Sequence, residues 1–184
     1  DKKDEEDKEE LTPAEILYGK VEDKNSEDTN INADIDKRKD INNNDKWEKP
    51  VNYMRVSSPY SPNRYHPVEH KYKKHDGVDL AVKQGSNIQI PASGIVEFAG
   101  EQKGYGYVVV INHGKINGKT VKTKYAHLSK INVRKGENIK KGGSVGLSGG
   151  QRGTKGAGTS TGPHLHFEVH ENGIPQNPMR YLKN

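Results

Sequence analysis

Short apolar runs rich in valine, isoleucine and tyrosine, closed by glycine, dominate the chain beyond Val51 and leave little room for helix. Residues 87–90, 94–98, 107–111 and 120–127 carry the β-branched and aromatic enrichment of strands, and helical periodicity is nearly absent. Gly104-Tyr105-Gly106 and Asn112-His113-Gly114 read as turns. Asn117-Gly118 is a hairpin signal between Val108–Ile111 and Val121–Tyr125. An antiparallel, mostly β domain with a groove is expected. Residues 142–162, crowded with glycine, serine and threonine, read most simply as a flexible loop, although they run straight into His164.

Charge divides the chain in two. Residues 1–50 hold 17 Asp and Glu against 10 Lys and Arg, a net of −7, while residues 51–184 hold 8 against 20, a net of +12. The first part is rich in Asp, Glu, Lys and Asn and poor in aromatics, so it buries too little apolar surface to offset its ordering entropy and is expected to be a largely disordered linker or pro-segment. Within it, Thr12-Pro13-Ala14-Glu15 has a capping-box pattern that opens at most a transient helical turn through Tyr18. Residues 51–184 are enough for one folded domain. A start at Asp1 with no apolar leader suggests a processed or truncated product, with any export signal or anchor upstream. The absence of cysteine is compatible with an oxidising envelope compartment. A basic domain invites comparison with nucleic-acid binders, but no nucleic-acid motif is present; an anionic polymer matrix suits a diffuse positive field better.

All eight histidines fall in the second part, and two clusters of them carry the chemistry. His164-Leu165-His166 sends both imidazoles to one face if it is a strand. His75-Asp76-Gly77-Val78-Asp79, far upstream, adds a histidine and a carboxylate. Imidazole and carboxylate are zinc ligands, and a catalytic zinc site takes three of them and leaves the fourth position to water. No cysteine is available for a closed structural site. Each of these residues taken singly has a plainer reading: Asp79 as a turn carboxylate, His164 as a ring bonded to backbone.

Three ordered blocks, His75-x-Gly77-x-Asp79, Tyr125-Ala126-His127-Leu128-Ser129 and Gly162-Pro163-His164-Leu165-His166-Phe167-Glu168, resemble the signature blocks of the lysostaphin/LytM-type zinc endopeptidases, which cut peptide crosslinks of bacterial peptidoglycan. The resemblance runs from about Val51 to Leu182, and includes Arg64-Tyr65-His66-Pro67 and Asn177-Pro178-Met179-Arg180-Tyr181-Leu182. It implies a small antiparallel β-sandwich with a groove over the central sheet, and one Zn²⁺ per chain bound by His75, Asp79 and His166. His127 and His164 would stand unligated beside the metal, managing protons or the oxyanion, with their roles unassigned within the pair. Tyr125, expected on the same strand face as His127, joins Arg64 and His66 as candidate groove residues, though the basic segment from Arg64 to Lys74 reads equally as a solvated strip.

The remaining histidines carry less. His113 at a turn reads as structural, and His170, four residues beyond His166, is roughly 13 Å away along a strand, outside one coordination sphere. The resemblance implies a peptidoglycan hydrolase of the periplasm or cell exterior, and the chain is expected to be a monomer. Its runner-up is a non-catalytic scaffold of the same fold that activates another wall hydrolase, a class that typically lacks some metal ligands. Arg64-x-His66-Pro67 resembles members that cut D-alanyl-diaminopimelate crosslinks rather than glycine bridges. By the same resemblance the acidic segment either covers the basic groove, as preceding segments do in latent members, or is a plain tether.

Overall fold

The computed structural model describes residues 46–66 and 70–183, so the linker reading of the first residues and the turn at Thr12 to Tyr18 lie outside the described residues. Among the described residues twelve strands follow in order: β1 Arg55–Ser58, β2 Ser61–His66, β3 Lys71–His75, β4 Val78–Ala81, β5 Asn87–Gln89, β6 Gly94–Gln102, β7 Gly106–Ile116, β8 Lys119–Ile131, β9 Asn138–Ile139, β10 Ser144–Ser148, β11 His164–Glu171 and β12 Ile174–Gln176. A 3-10 turn, Pro178–Arg180, closes the series.

Ten strands form one sheet in the order β1-β4-β11-β8-β7-β6-β9, with β12 beside β11 and β10 bridging β8 to β5; β2 and β3 pair separately. Among the described residues every pairing of two strands is antiparallel. The β7–β8 hairpin turns at Asn117 and Gly118, both at positive φ, as that residue pair predicts.

The long strand β8 serves two layers. Through Ala126 it pairs with β11, and from Leu128 onward it pairs with β10. The switch falls at a bulge, where the two steps from Tyr107 to Val109 on β7 are matched by three from Leu128 back to Tyr125. The two layers share one core, which includes Leu80, Ile88, Val109, Ile111, Tyr125, Leu128, Val145, Leu165 and Phe167. Val108, Val110 and Ala126 form a second, smaller cluster, because adjacent residues of a strand face opposite ways.

Three readings are corrected. Asn112, His113 and Gly114 form no turn but lie within β7, at a register shift against β8. The folded part begins before Val51, for Trp47 is buried in the core, its N–H donates to Tyr181 O at 2.7 Å, and Lys183 N donates back to Trp47 O at 2.8 Å. The glycine-rich segment 142–162 is not a free loop: it contains β10, and Ala157 and Ser160 within it are buried.

Candidate functional site

Strand β11 alternates strictly. Leu165, Phe167 and Val169 enter the core, and His164, His166, Glu168 and His170 take the other face. On one side of β11 lies β4, with Asp79 directly opposite His166; on the other lies β8, with Ala126 opposite the same residue. Asp79 and His166 therefore share a face, and their side chains meet, Nδ1 to Oδ1 at 2.8 Å. His75 reaches them from the end of β3, across a tight corner at Asp76 and Gly77. Glycine is required there, since a Cβ on Gly77 would lie 2.4 Å from Phe167 O.

Nε2 of His75 stands 3.2 Å from Asp79 Oδ1 and 3.3 Å from His166 Nδ1. Three donor atoms thus converge, one from each residue, all within 4.8 Å of one another. Ligands about 2.0–2.1 Å from a tetrahedral zinc are separated by roughly 3.3 Å, so the set fits that ion. The distal nitrogens fit it too. His75 Nδ1 donates to Pro59 O at 2.8 Å and His166 Nε2 to Glu168 Oε1 at 2.8 Å, which turns the opposite nitrogen of each ring toward the common point.

The electrostatics match a cation site. Burial would raise the Asp79 carboxyl, but hydrogen bonds from His166 and His75 outweigh it and hold the group well below the usual carboxylate range. Burial opposes charge on His166, yet bonds to Asp79 and Glu168 lift it to about 9, so a metal would displace a proton there. His75 is also raised, against its burial, by its bonds to Asp79 and Pro59.

His127 and His164 flank this cluster, their ring centroids 4.8 Å apart. The centroid of His127 lies 6.0 Å from that of His166, and His164 Nε2 is 3.7 Å from Asp79 Oδ1. Both rings are fixed through Nδ1, His127 on Ala157 O at 2.8 Å and His164 on Gly162 O at 2.8 Å, with Ser160 Oγ 3.1 Å from the latter nitrogen. Nε2 is left to each. Burial, followed by the neighbouring His164 and His166, lowers His127 to about 4 and keeps it neutral at neutral pH.

A cavity of about 300 Å³ opens over the site, lined by residues that include His75, Asp79, Tyr105, His127 and His166. A larger hollow of about 540 Å³ lies elsewhere, against Asn52, Asn87, Gln89 and Lys183; it has no histidine, and its carboxylate, Glu48, is paired with Lys183.

Tyr125 does not line the groove. It is fully buried, packs on Phe167 with ring centroids 5.4 Å apart, and takes a hydrogen bond from Thr123 at 3.0 Å. The bulge is the reason: the extra residue places both Ala126 and His127 off the core side and breaks the parity that would have linked positions 125 and 127. Arg64 and His66 lie on β2, opposite Lys73 and Lys71 of the strand that ends in His75. His113 is buried between Ser93 O and Thr123 Oγ1.

Three further residues belong to the site. Tyr105 packs against His166 and His127 with centroids 5.5 and 6.4 Å away, and Lys124 Nζ lies 3.5 Å from its ring centre. Its position between two glycines at a hairpin turn was the available signal. Glu168 sits between His166 and His170, whose Nε2 is 2.5 Å from Glu168 Oε2; strand parity alone would have found it.

The profile of Peptidase family M23 matches residues 73–178. The DD-carboxypeptidase/endopeptidase Mpg of Neisseria meningitidis serogroup B is 41% identical over 131 residues, 71% of this chain and 28% of that protein. The peptidoglycan DD-endopeptidase ShyA of Vibrio cholerae is 39% identical over 126 residues, 68% of this chain and 27% of that protein. The chain thus spans about a quarter of the length of these relatives. A zinc containing peptidase from Vibrio cholerae superposes with a TM-score of 0.64 at 33% identity, over 73% of this chain and 40% of that one.

Proposed function

The chain belongs to peptidase family M23, and from that membership we propose that it is a zinc-dependent endopeptidase of the cell envelope that hydrolyses peptide crosslinks of peptidoglycan at D-alanyl-diaminopimelate bonds. The observation that carries this reading is the convergence of His75 Nε2, Asp79 Oδ1 and His166 Nδ1 on one point at the cavity, with two further imidazoles beside it. The names of the relatives support the bond, since both are DD-endopeptidases. The net of +12 over residues 51–184 supports attraction to a polyanionic matrix.

His75, Asp79 and His166 would hold the zinc, which when bound polarises a scissile carbonyl and lowers the pKa of water to about 7. His127 and His164 handle protons at Nε2, because Nδ1 of each is committed to a carbonyl oxygen. One of them takes the proton of the attacking water, and the leaving amine receives it as the peptide bond breaks. The other donates from Nε2 to the developing oxyanion as the imidazolium, since the Nδ1–H of each ring is committed to a carbonyl oxygen. The half-buried ring of Tyr105 packs against His166 at the edge of the cavity. All three candidate ligands are present, so the scaffold reading has no observation in its favour.

The zinc-loaded chain should convert crosslinked dimers of purified sacculi containing diaminopimelate to monomers, and should leave glycine-bridged sacculi intact. Muropeptide analysis reads both. Undiminished dimers in both kinds of sacculi would remove the enzymatic reading.

A further inference from the structure

A buried carboxylate stands directly behind the metal cluster. Glu168 is 2% exposed, His170 2% and His166 5%, all on the non-core face of β11. Each Glu168 oxygen takes one N–H: Oε1 from His166 Nε2 at 2.8 Å, and Oε2 from His170 Nε2 at 2.5 Å. Lys124, 3% exposed, is its direct cross-strand partner on β8. A carboxylate is costly to bury, and here it is stabilised by two donors and a facing cation.

We propose that Glu168 is a positioning residue, which fixes the ring orientation and tautomer of His166 and is itself clamped by His170. A neutral imidazole has one N–H and one lone pair. Donation from Nε2 to Glu168 leaves the lone pair of His166 on Nδ1, the atom 2.8 Å from Asp79 Oδ1 and 3.3 Å from His75 Nε2. Without the carboxylate, the ring is free to exchange tautomers or turn over, and either change removes the lone pair from the cluster. His170 has a matching asymmetry. Among the described residues its Nδ1 is buried without a hydrogen-bond partner, a state tolerable for a lone pair and much costlier for an N–H, so its proton sits on Nε2 against Glu168. The row His166–Glu168–His170 thus extends the metal cluster one shell inward along a single strand face.

This inference rests on the metal reading of the site, and the test separates the two. Zinc affinity of the full chain is measured by chelator competition for the wild type, Glu168→Gln and Phe167→Leu. The ring N–H signals of the zinc-loaded proteins are followed by nitrogen-edited NMR. Glu168→Gln keeps the shape and removes the charge. It should weaken zinc binding by roughly tenfold to a hundredfold, the usual scale for an outer-shell partner of a ligating histidine, and should move or broaden the His166 Nε2–H signal. Phe167→Leu perturbs the same strand from its core side. It should lower the melting temperature and leave zinc affinity unchanged. If Glu168→Gln does not fold, Glu168→Asp keeps the charge with a shorter reach, and tenfold weaker binding supports the proposal. Wild-type affinity and an unmoved signal in a folded Glu168 variant would overturn it while the metal reading stands. Failure of the wild type itself to bind zinc overturns both.

Discussion

His127 adopts φ 57°, a conformation uncommon outside glycine, because the bulge in β8 inserts one residue at this point. That backbone places its ring beside His164 and leaves the three converging donors untouched, so the two sets separate in experiment. His166→Ala and Asp79→Ala each remove one of the three proposed ligands and should abolish or strongly weaken zinc binding by elemental analysis. His127→Ala and His164→Ala should retain zinc and lower turnover by at least roughly a hundredfold, the scale of one general acid–base group. Full zinc in His166→Ala would take that residue out of the ligand set. Tyr125 supplies the contrasting case. Its hydroxyl meets Thr123 in the core, so Tyr125→Phe should cost about 1 kcal/mol of stability in a denaturant melt and leave turnover as it was. A large loss of turnover would return Tyr125 to the groove.

The glycine-rich segment between β10 and β11 acts as a scaffold at the scale of elements. Its carbonyls at Ala157 and Gly162 hold the Nδ1 atoms of His127 and His164. It packs backbone to backbone on the turn that carries Tyr105, with Tyr107 N donating to Gly156 O and Thr159 N to Gly104 O, each at 2.9 Å. Such proximity excludes side chains. Gly156 has φ 81°, and a Cβ there would stand 2.2 Å from Leu128 O and 2.5 Å from the Tyr107 ring. Gly156→Ala should therefore destabilise the fold by more than the ~1–3 kcal/mol of backbone strain alone, and lower turnover by displacing Ala157 O from His127. An unchanged thermal midpoint would show that the segment yields, as a flexible loop would.

At the scale of the whole molecule, the two ends of the described residues close on each other. Trp47 packs on Tyr181 and His113, with centroids 5.0 and 5.4 Å apart, and bridges to Leu182. Trp47→Ala should cost about 3–5 kcal/mol, the range for large aromatic truncations in a core, read from denaturant unfolding. A chain beginning at Val51 should share that loss, whereas one beginning at Lys46 should not. That second chain is the proper comparison for the acidic segment. If residues 1–45 only tether the domain, both lengths should digest sacculi equally at low and at physiological salt. Inhibition confined to low salt would instead mark an electrostatic cover, screened once the Debye length falls to about 8 Å.

Local signals determined most of the strands and marked the candidate site residues. β-branched runs, Asn117-Gly118 and the HxH alternation depend on neighbours within a few residues, and the sheet follows them at β5 to β8 and β11. His75, Asp79, His127, His164 and His166 were all visible as residue types in ordered blocks, and the fold brings these five together. What sequence could not supply was any property set by a partner strand. The bulge at Ala126 and His127 exists only as a mismatch of register against β7, and it decides that Tyr125 enters the core while His127 does not. The docking of Trp47 and the tight packing of segment 149–162 rest on contacts with residues far along the chain, Tyr181 and Leu128 among them. Side-chain periodicity is a property of one strand, whereas register and burial belong to at least two, and only the assembled sheet sets them.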